Sequence, residues 1–484
     1  MNTKTLRQKI LDLAIHGKLV PQDPNDEPAS ELLKRIKAEK EEQIKEEKIK
    51  KSKKTKTTSD TPKSENPPFE IPSSWEWTTL GEIGVWQAGG TPNRMNMAYY
   101  GGTIPWLKTG DLNDGLITDI PEFITEEAVA NSSAKLNPAG SVLIAMYGAT
   151  IGKLGILSYP AATNQACCAC IEYGVVEQLF LFYFLLSQRT AFIEKGGGGA
   201  QPNISKEIIL HTSFPLPPLE EQKRIVAEIE RWFALIDQIE QSKAALQSTI
   251  AQAKKKILDL AIHGKLVAQD PDDEPASELL KRIKAEKEQQ IKEGKIKKSK
   301  KTKTTSVPFE IPSSWEWTTL GEISNYGCCE NIPVAEIGEN DWVLELEDIE
   351  KDTARIAQIR LKQDRDIKGV RHKFTNGDVL YSKLRTYLNK VLVAPHNGYC
   401  TTEIVPLHSY CNVSTYYLSH VLRSGYFLDY TQQCGYGVKM PRLSTNDACN
   451  GSIPLPPLAE QKRIVKKIEE LFGVLDTIQQ ALGE

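Results

Sequence analysis

The chain has 484 residues, 40% of them hydrophobic, and its 60 Lys and Arg nearly balance 63 Asp and Glu, for a formal net charge of −3. At ~150 residues per domain the length suggests about three units, the net charge does not advertise nucleic-acid binding, and the longest apolar run, LFLFYFLL at 179–186, is far short of the ~20 residues of a membrane span. The opening MNTKTLRQKI is charged and amphipathic rather than a signal peptide, and the nine Cys form no even framework, so the expectation is a soluble cytoplasmic protein with free thiols and no membrane partner.

In chain order, residues 1–19 begin with half of a helix, whose KILDLAIHGKL at 9–19 returns at 256–266. A turn rich in Pro and Asp covers 21–27. A charged helix is expected over Ala29–Lys50, with a thin apolar stripe at Leu32, Leu33, Ile36 and Ile44 that suits a place on a spine or on a partner. The following stretch to Pro67 reads as a linker; its Lys-rich KKSKKTKTT is a solvated face or an arm that touches phosphates, and it recurs at Lys297–Thr305. A first module opens with PFEIPSSWEWTTLGEI and continues through short β-rich runs and Gly-rich loops, with one helix near Val176–Gln188.

The stretch from Pro217 to Gly264 organises the rest. Ile225, Ile229, Trp232, Ile236, Ile239, Leu246, Ile250, Ala253, Ile257 and Leu260 step by alternating fours and threes, with Lys243 in one seam position. This heptad seam predicts one helix of roughly 70 Å at ~1.5 Å per residue; Lys243 either sets register or marks a bend. A second module at 308–453 opens with the identical PFEIPSSWEWTTLGEI, then diverges from the first, with a helix expected at Ser414–Ser424. The tail at 456–480 repeats 217–241, its seam returning as Ile464, Ile468, Leu471, Leu475 and Ile478. The tail thus copies the first half of the central helix and the N-terminus copies its second half. The expectation is that the two termini meet and rebuild a second, antiparallel helix, the alternative being a tandem duplication whose ends stay apart.

Shared frame and unlike modules suit a long ligand with two distinct sites, such as duplex DNA. No catalytic constellation accompanies them. Asn66-Pro67-Pro68-Phe69 resembles an adenine-methyltransferase loop, but no Gly-rich nucleotide loop goes with it; Gly148–Leu154 is one residue short of a phosphate-binding loop and ends in Leu where Ser or Thr must meet Mg²⁺. Cys167, Cys168 and Cys170 read as a buried strand rather than a metal site, since no matching Cys or His cluster follows.

The chain resembles the specificity subunit of type I restriction-modification enzymes. The matching residues are Pro-Leu-Pro-Pro-Leu-x-Glu-Gln-x-x-Ile-Val twice, W-x-W-x-x-Leu-Gly-Glu twice, Gly89-Gly90-Thr91-Pro92, Lys108-Thr109-Gly110-Asp111, Gly148–Gly155, Gln201-Pro202-Asn203-Ile204-Ser205 and ILDLAIHGKL. The resemblance implies an α/β (α+β) chain with two globular target-recognition domains separated by a long antiparallel coiled-coil spine, in a pseudo-twofold cyclic repeat. Its parts are an N-terminal half-helix, charged helix and linker (1–66), recognition domain 1 (67–214), central spine and linker (215–306), recognition domain 2 (307–453) and a C-terminal spine helix (454–484). It further implies that each domain reads half of a split, asymmetric double-stranded DNA target while the spine sets the gap. On the same resemblance no cofactor is expected on this chain; two modification subunits would bring S-adenosylmethionine and methylate adenine, and two restriction subunits would bring ATP and Mg²⁺, in the cytoplasm of a bacterium or archaeon at the nucleoid.

Base readout uses Arg, Lys, Asn and Gln on groove edges. The candidates are Lys108, Thr109, Lys153, Gln201, Asn203 and Lys206 in the first module and Lys383, Arg385, Tyr387, Lys390, Lys439 and Arg442 in the second, with a further basic stretch at Arg360, Lys362, Arg365, Lys368, Arg371 and Lys373. For subunit contacts the candidates are Ile225, Ile229, Trp232, Ile236, Ile464, Ile468, Leu471 and Leu475. Both modules are net acidic: residues 67–214 hold seven Lys/Arg against thirteen Asp/Glu, and 308–453 hold fourteen against eighteen. Because counterion release by basic residues dominates DNA affinity, weak, salt-sensitive binding by the chain alone is expected, with partners supplying much of the clamp. A stand-alone DNA-binding regulator and an intrinsic methyltransferase resting on Asn66–Phe69 are the competing readings.

Overall fold

The computed structural model describes residues 2–45, 68–174, 176–197, 203–294, 308–437 and 439–483. The chain divides into two compact units, Met1–Ser242 and Lys243–Glu484. Asn66 and Pro67, the linker before them and the run at Lys297–Thr305 lie outside the described residues. One helix, Leu219–Ile262, holds 44 residues and passes Lys243 unbroken.

In the first unit the N-terminal helix Thr3–Ile15 starts where Asn2 caps Thr5, and it buries Ile10, Leu11, Ala14 and Ile15. Arg7 ties it to the central helix: its guanidinium lies 2.5 Å from Asp237 and 4.9 Å over the Phe233 ring. The charged helix is described over Ala29–Lys45, and Ala29, Leu32 and Ile36 go into the unit's own core. Leu32 and Ile36 of its apolar stripe are therefore covered within its own unit, and Lys40 pairs with Glu82 at 3.0 Å.

The module itself is closed at its root. The WEWTT strand Glu76–Thr79 pairs antiparallel with the exit strand Ser213–Leu216, in the register Trp77↔Pro215. Inside, a five-stranded sheet runs in the order Gly84–Ala88, Cys167–Glu172, Val142–Ala145, Leu154–Leu157, Gly115–Ile117. The cysteine run is the sheet's second strand, with all three thiols buried; burial pushes the Cys168 thiol up to about 12. Gly148–Thr150 makes one turn of 3-10 helix before strand Leu154–Leu157, without the following α-helix a phosphate loop needs. The helix Gln178–Ser187 is apolar on nearly every face because it is covered on nearly every face; Phe180 and Phe184 pack edge-on against Phe214.

The second unit repeats this root. Lys254, on the second half of the central helix, lies 2.5 Å from Asp476 and 5.7 Å over Phe472 on the helix Leu458–Ala481. Strand Glu316–Thr319 pairs with Ser452–Leu455, and the helix Ala276–Lys292 buries Ala276, Leu279 and Ile283. Beyond the root the module differs. A three-stranded sheet centred on Val379–Ser382 accompanies a four-stranded one, Asn331–Pro333, Val370–Phe374, Gly398–Cys400 and Val343–Leu344, and the expected helix runs from Thr415 to Arg423.

The Glu-Gln pair of the repeated PLPPLxEQ motif explains itself in this frame. The buried Glu221 accepts from the Trp75 indole at 3.0 Å and from Gln22 at 2.6 Å; Glu460 accepts from Trp315 at 2.8 Å and from Gln269 at 2.6 Å. Burial pushes both carboxyls up, and those donors pull them back. Gln222 accepts from the Glu177 backbone at 2.7 Å and donates to Pro217 O at 2.9 Å, which caps the module's apolar helix onto the central helix. Gln461 does the same with Ser414 at 2.8 Å and Pro456 at 2.9 Å.

Candidate nucleic-acid interface

Each module gathers loops at the ends of its sheet strands. In the first, Tyr147 bridges Asn203, and Ile204 N donates to Met146 O at 2.7 Å. The Tyr147 hydroxyl donates to Gln165 O at 2.6 Å, and Thr91 donates to the Gln165 side chain. Loop Thr91–Met97, Gln165, turn Tyr147–Thr150 and Asn203 are thus one connected surface. Gly148 and Gly152 bound the turn with φ of 78° and 77°.

The candidates of this module separate. Asn203 is exposed on that surface, and Lys206 is exposed at the start of helix Lys206–Leu210. Lys108 is ion-paired with Glu122, and Thr109 is half-buried in the turn Thr109–Asp111. Lys153 reaches inward to Leu112 O at 3.5 Å. Lys108 and Lys153 therefore hold the fold of their own turns. Gln201 lies outside the described residues.

In the second module Leu384 and Tyr436 both bridge Arg442, Arg385 N donates to Pro441 O at 2.7 Å, and Leu443 N donates to Lys383 O at 2.9 Å. Lys383, Arg385, Tyr387, Lys439 and Arg442 come together in this cluster. Lys390 does not: its ammonium donates to Leu346 O at 2.7 Å, and burial pushes its pKa down. Arg385 and Asn389 bound the turn Thr386–Leu388 with φ of 51° and 50°, where the first module uses Gly148 and Gly152. A side chain in this left-handed region costs roughly 1–2 kcal/mol. For Asn389 a hydrogen bond from its amide to Arg423 O at 3.3 Å accompanies the strain. For Arg385 there is no such bond among the described residues, and its Nε is buried without a partner.

Charge pairing decides which basic groups remain for a polyanion. Arg360 pairs with Glu347, Lys362 with Glu339, Arg365 with Asp348, Arg371 with Glu345 and Lys373 with Glu330. The basic stretch is thus an internal ion-pair lattice around a cleft of about 810 Å³, not a stripe facing phosphates. Arg442 is shared with Glu403 at 2.7 Å. Among the described residues of this module, Lys368, Lys383, Arg385, Lys390, Arg423 and Lys439 have no carboxylate partner within salt-bridge distance; Lys390 and Arg423 donate to backbone carbonyls instead, and Lys383, Arg385 and Lys439 sit in the loop cluster. Arg94, Met95 and Met97 in the first module and Tyr436 and Met440 in the second, which the spacing of polar residues does not single out, are also exposed here. The chain has only five Met, and an apolar residue flanked by Asn and Arg was the available signal.

The seam candidates also separate. Ile225, Ile229, Ile236, Ile464 and Ile468 are buried in the cores of their own units, which leaves no surface for another subunit. Leu471 and Leu475 are half-buried, and Trp232 is 36% exposed. Leu235, Ile239, Leu246, Val474 and Ile478 are the other exposed large apolar groups of these helices among the described residues. Among the described residues no group of three His, Cys, Asp or Glu is arranged to hold a metal, and no helix is long and apolar enough to cross a membrane.

Two unlike loop clusters, each on the same closed root, define a modular recognition protein. The family described as type I restriction modification DNA specificity domain matches residues 72–248. The chain is 30% identical to the EcoEI type I restriction enzyme specificity subunit of Escherichia coli, over 99% of this chain and 90% of that one. The fold is shared with a solved chain of a type I R-M system (TM-score 0.58, 20% identity, 86% of this chain and 94% of that one). It is shared also with the HsdS subunit from Thermoanaerobacter tengcongensis (TM-score 0.51, 19% identity, 86% and 93%). The chain belongs to the type I restriction enzyme specificity subunits: it is a non-catalytic subunit for DNA sequence recognition within a restriction-modification complex.

Proposed function

We propose that the chain reads a bipartite, asymmetric DNA target, with module 67–214 taking one half and module 307–453 the other. The observation that carries this reading is the contrast between roots that repeat the same buried bonds, Trp75–Glu221 and Trp315–Glu460, and loop clusters built from different residues. The central helix and the two terminal helices form an antiparallel coiled-coil spine, related by a pseudo-twofold cyclic repeat, whose length sets the gap between half-targets. Two modification subunits dock on it, using the exposed seam residues Trp232, Ile239 and Ile478 rather than the buried ones. They bring S-adenosylmethionine and methylate adenine; two restriction subunits, with ATP and Mg²⁺, add cleavage. The complex works in the cytoplasm, at the nucleoid. With both modules net acidic, binding by the chain alone is weak and salt-sensitive.

The test is methylome sequencing in a methylation-free bacterial host that expresses the cognate modification subunit with and without this chain. A split, asymmetric adenine motif that appears only with the chain is the expected result, and exchanging the modules then assigns each half. An unchanged methylome, or a single continuous motif, would refute the two-reader arrangement.

A further inference from the structure

Methionine is ordinarily a core residue, a flexible filler of irregular gaps. Here Met146 is buried at 5% exposure, while Met95 and Met97 are 89% and 78% exposed on one loop of the first module. The loop does not fold them inward, because its backbone is held: Asn93 Oδ1 accepts from Met95 N at 3.0 Å, and Asn96 Oδ1 accepts from Ala98 N at 3.1 Å. Arg94 between them lies over the Trp106 ring at 5.8 Å and has no carboxylate partner among the described residues. Through Thr91, Gln165 and Tyr147 the loop is continuous with Asn203.

An apolar pair presented beside a cation and amides, on the surface read above as the DNA interface, needs an apolar group on the DNA. In the major groove the bases offer one, the C5 methyl of thymine. We propose that Met95 and Met97 are specificity-determining residues that read a thymine methyl in the half-target of the first module. This rests on the recognition reading of that module. Thioether side chains suit the task, since they are polarizable and adjust to a methyl whose position shifts with local DNA shape. The second module places Met440, 50% exposed, on a different loop beside Lys439 and Arg442.

The experiment uses the full chain with its modification subunit and a duplex of the motif that the methylome defines. Each thymine of the first half-target is replaced in turn by deoxyuridine, which removes only the methyl. One replacement is expected to weaken binding by wild type about fourfold, the worth of one buried methyl-sized group. It should have no effect on the M95A/M97A double variant, and M95L/M97L should restore the sensitivity. Equal deoxyuridine sensitivity in wild type and double variant would overturn the proposal, as would a first half-target with no T·A pair. Loss of modification-subunit co-purification in M95A/M97A would overturn it in favour of a protein-docking loop. A methylome that does not depend on the chain fails the recognition reading itself, before these variants are compared.

Discussion

The two units hold the same root and differently built readers. Arg7, Asp237 and Phe233 in the first are answered by Lys254, Asp476 and Phe472 in the second; Trp75–Glu221 is answered by Trp315–Glu460, and Arg224–Asp26 at 2.5 Å by Arg463–Asp273 at 2.6 Å. Above the root the likeness stops. The turn bounded by Gly148 and Gly152 becomes one bounded by Arg385 and Asn389, and Tyr183, set against Phe233, becomes His420, set against Phe472. Bonds that close the root are buried and directional, so a change in one partner strands the other. Loop side chains at the other end have solvent for a partner and can vary without unfolding the module.

The largest expected effect tests the likeness of the roots. Trp75→Ala and Trp315→Ala each remove a buried indole and strand a buried glutamate, so each should cost about 3–5 kcal/mol. Hydrogen exchange, read separately in peptides of each unit, measures both; a difference above about 1 kcal/mol would mean that the roots are alike in geometry but not in energy.

A smaller effect tests the unlike turns. Arg385→Gly removes left-handed strain and should stabilise the second unit by about 0.5–1 kcal/mol, while Gly148→Ala should cost the first about 1 kcal/mol. No atom lies within 4 Å of a Cβ added at Gly148, so the cost there is purely conformational. If Arg385 reads DNA, the stabilised Arg385→Gly protein loses methylation directed by the second half-target, seen in the same methylome assay. Retained methylation would make Arg385 a bystander.

The smallest effect is a pH dependence confined to one unit. Burial first, and the Arg423 guanidinium next, push the His420 imidazole down to about 3. Between its unfolded value near 6.5 and that value, the unfolded chain binds the proton that the folded unit refuses. Stability from this group is therefore present above about 6.5 and lost as pH falls toward about 3. Tyr183, pushed up to about 12, does not titrate in that window. Protection factors in the second unit, which allow for the slower intrinsic exchange in acid, should fall on acidification from pH 6.5 in wild type and less so in His420→Phe; identical slopes would exclude the imidazole as the cause.

Much of the scaffold was legible because its signals are local. The heptad steps of the central helix lie within a few residues of each other, and the tandem copies of WEWTTLGE and PLPPLxEQ mark the two ends of each module. The loop clusters of the candidate interface were legible only in part. Asn203, Lys383, Arg385, Tyr387, Lys439 and Arg442 do come to loop surfaces, but Lys108, Lys153 and Lys390 do not remain free. Their partners, Glu122, Leu112 and Leu346, come from other strands and turns, and spacing along the chain gives no hint of such pairings. The seam residues divide into buried and exposed for a related reason. A heptad predicts that a face is buried, and in Ile225 and Ile464 that burial is inside the unit itself.

Periodicity and repetition in the sequence by themselves determined the long helix, the duplicated root, the divergence of the modules and the absence of a recognisable catalytic motif, since each is a property of neighbours or of copies. Tertiary structure alone decided which cations keep their charge for a ligand, why the motif needs Glu followed by Gln, and which methionines stand in solvent. Those outcomes depend on groups brought together across many residues, such as the 146 that separate Trp75 from Glu221. Burial and pairing, which set the cost of a charge or the use of an apolar side chain, exist only once the chain has folded.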